Sequence, residues 1–287
     1  MAFWIKVVIG VISLIIMGTA AAVWTVSSRR DRATAKIIDR LLGAPDPRTE
    51  AVVDFRRLEG LPKPVIRYFR RVLRDGQPLV HSARLRQAGE FNMGRDADSW
   101  RPFTAVQHIS PSAPGFAWDA RIRMAPFLSA TVRDGYVDGH GFMNATLLSL
   151  ITIVDARDTP ELDAGALQRY LAEAVLCPTA LLPSQGVQWR EIDDHRAEAV
   201  LTHGRTTVSL EFRFNDAGVV TAVYTPARFR EVDGRYMPTP WGGTFRRYEE
   251  RGGMRIPIEG EVSWFLPGRT LTYWRGTIGE IQYEFVN

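Results

Sequence analysis

Apolar and polar positions along this chain follow two different periods, and the change between them falls near Gly76. Before it the period is helical. From Asp31 to Leu42 the apolar residues Ala35, Ile37, Ile38, Leu41 and Leu42 recur at helical spacing, and Gly43 with Pro45 and Pro47 stops the segment. A second helix is expected from Thr49, a capping residue, with Val52, Val53, Phe55 and Leu58 as its apolar side before Gly60. A third is expected from Pro64, with Val65, Ile66, Phe69, Val72 and Leu73 on one face and Arg67, Arg70, Arg71 and Arg74 on the other. This amphipathic segment suits packing against its own domain or lying on a membrane surface.

Beyond Gly76 the pattern becomes alternating. Phe116, Trp118, Ala120, Ile122 and Met124 take one face of a strand, while Ala117, Asp119, Arg121 and Arg123 take the other. Val208, Leu210, Phe212 and Phe214 repeat the pattern. The pairs Asp134-Gly135, His203-Gly204, Asp233-Gly234 and Gly252-Gly253, with the run from Asp216 to Gly218, read as turns, so about ten strands are expected in an antiparallel series of hairpins. One helix interrupts them, capped by Thr159 and running to about Leu176, with Leu162, Leu167, Tyr170, Leu171 and Val175 as its apolar side. That face must cover something, and a curved sheet with the helix across its mouth is the simplest arrangement.

The earliest part of the chain adds a different element. Val7 to Val26 contains no charge over twenty residues, about the length that crosses a bilayer core as a helix. Thr19-Ala20-Ala21-Ala22 is open to reading as a signal-peptide cleavage point, but the apolar run continues through Trp24, which favours a retained single-pass anchor. The expected fold class is therefore mainly β with helices (α+β): an N-terminal transmembrane helix, a short helical segment, then a curved antiparallel sheet or half-barrel covered by an inserted helix. The corresponding division is 1–30 as membrane anchor, 31–76 as basic helical segment and 77–287 as the β domain.

Charge changes the picture only locally. The formal net charge is +4, but residues 29–86 hold 15 basic and 7 acidic side chains whereas residues 87–287 hold 20 and 25. Positive charge thus gathers beside the expected anchor, where it favours anionic headgroups or simply solvates a helix surface. A nucleic-acid partner is not expected. Arg29, Arg30 and Arg32 would place the domain in the cytoplasm by the positive-inside rule.

Candidate chemistry is sparse. Cys177 is the single cysteine, the five histidines lack the spacing of a helical metal pair, and nucleophile elbows, phosphate loops and dinucleotide fingerprints are absent from the sequence. No cofactor, metal ligand or catalytic residue is therefore assigned, although Tyr170 and Glu173 lie one helical turn apart and could act as acid and base in a cavity. The aromatics say more. Large rings at Phe116, Trp118, Trp241, Trp264 and Trp274 either complete a core or line a pocket. With Ile122, Tyr170 and Glu173 they form the candidate ligand-binding set.

Several blocks carry a family likeness: Leu61-Pro62-Lys63-Pro64-Val65, Arg84 through Phe91, Trp100-Arg101-Pro102-Phe103, Phe116 through Arg121, Tyr170 through Ala174, Pro178 through Pro183, Pro238-Thr239-Pro240-Trp241 and Ile258 through Val262. On these the chain resembles an uncharacterised bacterial, membrane-anchored family catalogued as a domain of unknown function. By architecture it is also similar to lipoprotein-carrier and lipoprotein-receptor half-barrels, which implies an acyl-chain ligand and an extracytoplasmic domain, against the arginine flank. The leading expectation is a membrane-tethered binding protein with a hydrophobic cavity for a lipid or other amphipathic ligand. The alternatives are an envelope scaffold with a protein partner and an enzyme using Glu173 and Tyr170.

Overall fold

A computed structural model describes residues 4, 17, 25–43, 51–94, 97–126 and 128–286. The expected anchor over Val7–Val26 lies almost wholly outside these residues. Among the described residues no helix is long and apolar enough to cross a membrane.

Thirteen strands form one antiparallel sheet: β1 (Val80–Asn92), β2 (Trp100–Ser110), β3 (Gly115–Ala125), β4 (Leu128–Val137), β5 (His140–Leu147), β6 (Ile151–Arg157), β7 (Val187–Asp193), β8 (Arg196–His203), β9 (Thr206–Phe214), β10 (Val220–Val232), β11 (Arg235–Arg251), β12 (Met254–Leu266) and β13 (Arg269–Phe285). Their order is β6-β5-β4-β3-β2-β1-β13-β12-β11-β10-β9-β8-β7. Two meanders therefore meet at the centre, where β1 and β13 pair from Val80 opposite Phe285 to Phe91 opposite Trp274. The architecture is mainly β, as the alternating pattern requires, and β6 and β7 are the two edges.

Residues 25–42 are helical (α1), α2 spans Lys63–Val72 and α3 spans Pro160–Glu173. Thr159 caps α3 by accepting from the Leu162 amide at 3.2 Å. Short 3₁₀ turns at Ala174–Leu176, Pro178–Leu181 and Pro183–Gln185 then lead to β7. Because α3 touches β3, β4 and β5 as well as β9 and β10, strands from opposite halves of the sheet, the sheet must curl around it. The curl brings β4 to β8: His203 Nδ1 lies 3.1 Å from the Tyr136 hydroxyl.

The core fills the space inside the curl. Phe116, Leu167, Leu171, Leu181 and Phe212 are fully buried there. Burial of each such side chain is worth about 1.5–3 kcal/mol relative to exposure. The apolar face of α2 joins the same cluster through Val65, Tyr68, Phe69 and Val72, so this helix packs on its own domain, and Arg67 bonds the Asp194 carbonyl.

Two local expectations need correction. The helix expected from Thr49 is, from Val52 onward, an isolated bridge between Val52 and Pro78 followed by a 3₁₀ turn at Phe55–Leu58. Its backbone bonds run across to the loop after α2 instead of along a helix: Val53 N–H donates to Gln77 and Gly76 N–H donates to Val53. Thr49 itself lies outside the described residues. Asp134-Gly135 is not a turn but the middle of β4, the turn falling at Asp138-Gly139. Gly135 is bare because a Cβ there would stand 2.6 Å from the Phe142 ring and 2.7 Å from the Phe116 carbonyl oxygen.

Candidate functional site: an outer cleft and a filled interior

Strand alternation gives β3 two functional faces. Trp118 points into the curl and Asp119 points out, where Arg30 of α1 pairs with it and Thr34 Oγ1 donates to its Oδ2 at 3.0 Å. These contacts, with the Arg40–Asp138 ion pair and the small apolar cluster of Leu41, Ala117 and Val137, dock α1 on the outside of the sheet.

The inside is densely packed. Beneath the C-terminal end of α3 lies a small cavity of about 50 Å³, bordered by Gln87, Glu173, Leu176, Trp241, Trp274 and Ile278. A continuous polar chain crosses this region. Trp118 Nε1 donates to Gln87 Oε1 (2.8 Å), Gln87 Nε2 to Gln107 Oε1 (2.7 Å), and Gln107 Nε2 to Glu173 Oε2 (2.5 Å). Arg169 closes the chain, donating to Glu173 Oε1 at 2.8 Å and pairing with Asp134. Burial alone would lower the pKa of Arg169, but the carboxylates of Glu173 and Asp134 outweigh it and raise the pKa above its ordinary value. Its guanidinium lies 4.8 Å from the Phe116 ring centroid and 5.1 Å from that of Trp118.

The candidate set divides accordingly. Phe116, Trp118, Ile122, Tyr170 and Trp241 are buried in the interior cluster, and Trp264 and Trp274 are half-buried against it. Arg228 lies 4.4 Å from the Trp241 ring and 5.7 Å from that of Trp264. Trp241 Nε1 donates to the Tyr273 hydroxyl at 3.0 Å. Glu173 is engaged by Arg169 and Gln107, one helical turn from Tyr170. Gln87, Gln107, Asp134 and Arg169 are the members that sequence reasoning missed.

The larger space is outside. A cleft of about 700 Å³ runs between α1 and the outer face of β1 to β5. Ile37, Ile38, Val106, Ala117 and Phe142 supply apolar wall, and Arg30, Arg86, Arg121, Arg133 and His108 supply basic groups against Asp31 and Asp119. Burial, then the neighbouring Arg30, lower the pKa of Arg133, as expected where cations are crowded. Burial, then Arg84, lower that of His108. The volume falls within the range of ligand sites, which are mainly apolar with a few placed polar groups. Among the described residues no group of three or more His, Cys, Asp or Glu side chains could hold a metal ion.

One antiparallel sheet of two meanders, curled around one helix and carrying a ligand-sized cleft on its outer face, defines the class of this β protein. The chain belongs to DUF6920, a family of unknown function whose model matches residues 59–283. Helix α1, one wall of the cleft, precedes the matched stretch. No curated protein matches the chain in sequence. The chain has a weak structural resemblance to a LolA superfamily protein from Nitrosomonas europaea, with 10% identity, a TM-score of 0.41 and coverage of 79% of this chain and 95% of that one. A beta-barrel-like protein of the domain of unknown function DUF1849 from Brucella abortus is also similar, with 10% identity, a TM-score of 0.23 and coverage of 72% and 98%.

Proposed function

We propose that this protein is a membrane-tethered binding protein whose outer cleft holds a lipid or other amphipathic ligand with an anionic head. The observation that carries this reading is the cleft itself. Its volume is about 700 Å³, its walls are largely apolar, and four arginines face it against two aspartates. An apolar tail gains by leaving water against Ile37, Ile38, Val106 and Phe142, and an anionic head gains chiefly from Arg121 and Arg133, since Arg30 is paired with Asp119 and Arg86 with Glu280. The binding space therefore differs from the one expected beneath α3, where the interior is densely packed. The uncharged run before α1 supplies the tether, which would hold the cleft near its source of ligand.

The test is lipid extraction from the purified full chain followed by mass spectrometry, with Ala88→Trp as the cleft-filling variant. About one amphipathic molecule per chain is expected, lost in Ala88→Trp while the fold persists. A wild-type protein that carries nothing, or a variant that retains the same molecule, sinks the proposal.

A further inference from the structure

Most exposed large apolar side chains in a folded protein are scattered singly, but four here adjoin one another at one hairpin tip. Leu148 and Leu150 form the turn between β5 and β6, and Ile151 and Ile153 open edge strand β6, with 61% and 59% of their surfaces exposed. Residues 147–154, Leu-Leu-Ser-Leu-Ile-Thr-Ile-Val, contain no charge. The neighbouring tip between β3 and β4, residues 125–132, contains none either. Leu148 and Ser149 both adopt positive φ, 51° and 59°, a conformation that L side chains rarely take. A strained turn thus carries apolar side chains into solvent, where hydrophobic burial cannot hold them.

The direction of α1 says what lies beyond. Its C-terminal end packs at the opposite end of these strands: Leu41 meets Gly115 at the start of β3, and Arg40 pairs with Asp138 in the β4–β5 turn. Arg30 is already half-way along β3, at Asp119. The helix therefore runs, toward its N-terminus, in the direction of the β3–β4 and β5–β6 tips. From Asp119 to the end of β3 at Ala125 is about 20 Å at strand rise. The five residues from Arg30 to Thr25 cover about 7 Å of it at helical rise. The remainder is short, and the sequence that precedes Thr25 belongs to the uncharged run Val7–Val26.

We infer that the β3–β4 and β5–β6 hairpin tips form a docking face for the surface of a lipid bilayer, with Leu148, Leu150, Ile151 and Ile153 entering the headgroup and upper acyl region. The N-terminal end of α1 is directed toward the same end of the sheet as the docking face, so a tether that precedes it and the two tips would engage one bilayer. The absence of charge from the two tips makes apolar insertion, not headgroup charge, the source of binding. This inference uses the tether of the reading above and is independent of what the cleft holds.

The test places a nitrobenzoxadiazole label on cysteine variants of the full chain mixed with phosphatidylcholine vesicles that contain nitroxide-bearing lipid. The native Cys177 is fully buried, and burial pushes its thiol pKa up, so labelling is confined to the introduced site. Labels at Leu150→Cys and Ile153→Cys are expected to lose at least half their fluorescence to nitroxide, and a label at His140→Cys, at the other end of β5, to lose almost none. Tip labels no more quenched than the one at His140→Cys overturn the docking face. That holds whether they stay in water or are covered by a second copy joined through the β6 edge, which crosslinking distinguishes. A label at Ala20→Cys separates the tether: quenching there with silent tips leaves the tether standing and removes the docking face.

Discussion

Arg169 shows how much of the interior depends on one charge. It sits between Asp134 and Glu173 and over two aromatic rings, largely withdrawn from water, with 15% of its side chain exposed. Removing one member of a buried ion-pair network leaves the others uncompensated, at a cost of about 3–5 kcal/mol. Arg169→Met is expected to lower unfolding stability by that amount in urea titrations, and adding Asp134→Asn with Glu173→Gln to recover part of it. An Arg169→Met protein as stable as wild type would remove the network from any account of the core. Tyr136 makes a second residue-scale prediction. Burial, then Asp163, pushes its pKa from 10.0 up to about 12, partly opposed by a hydrogen bond with Thr206. The folded state therefore holds this proton more tightly than the unfolded chain, and the associated stability is complete below pH 10 and lost as pH rises through 12. Urea midpoints are expected to fall across that window and to fall less in Tyr136→Phe. Burial raises Tyr68, Tyr248 and Tyr283 in the same direction, so some decline persists in the variant. Of this polar chain the sequence singled out Trp118 and Glu173 but not what joins them. Nothing in the sequence marks Gln87 and Gln107 as inward-facing, and the fold brings them together to satisfy one another.

At the scale of elements, α3 depends on a bare backbone position opposite it. A Cβ at Gly141 would stand 2.6 Å from the Leu162 carbonyl oxygen, while the Gly141 amide donates to Asp163 Oδ1 at 2.6 Å. Gly141→Ala is therefore expected to push the first turn of α3 off β5 and destabilise the domain by about 1–3 kcal/mol, measured in the same titrations. An unchanged midpoint would mean that the helix shifts at no cost. The strands around β3 and β9, the third and fourth expected helices and the Thr159 cap were readable because each has a period or a cap of its own. The segment before Gly60 was misread because four apolar residues at helical spacing do not reveal that its backbone pairs with Gln77 and Gly76. Asp134-Gly135 was misread for the complementary reason. Glycine next to aspartate signals a turn, yet here the glycine makes room for Phe142 and the aspartate reaches Arg169.

At the scale of the molecule, the antiparallel hairpin series followed from the turn signals and the covering helix from its cap and period, while the site of the open space followed from neither. Periodicity assigns Trp118 and Asp119 to opposite faces but does not say which face is filled and which receives α1. The tryptophans marked the interior, and the cleft lies behind them.

The central pairing of β1 with β13 joins the first strand of the sheet to the last. During synthesis the β1–β6 meander is complete long before the strand that must lie beside β1 exists, so the edge of β1 away from β2 waits unsealed, with the backbone donors and acceptors of that edge bare. The β7–β13 meander is built outward from the far rim and reaches β1 only with its final strand. The seventeen-residue strand β13 is thus what covers that edge of β1, and until it arrives the edge is open to pairing with a neighbouring copy instead.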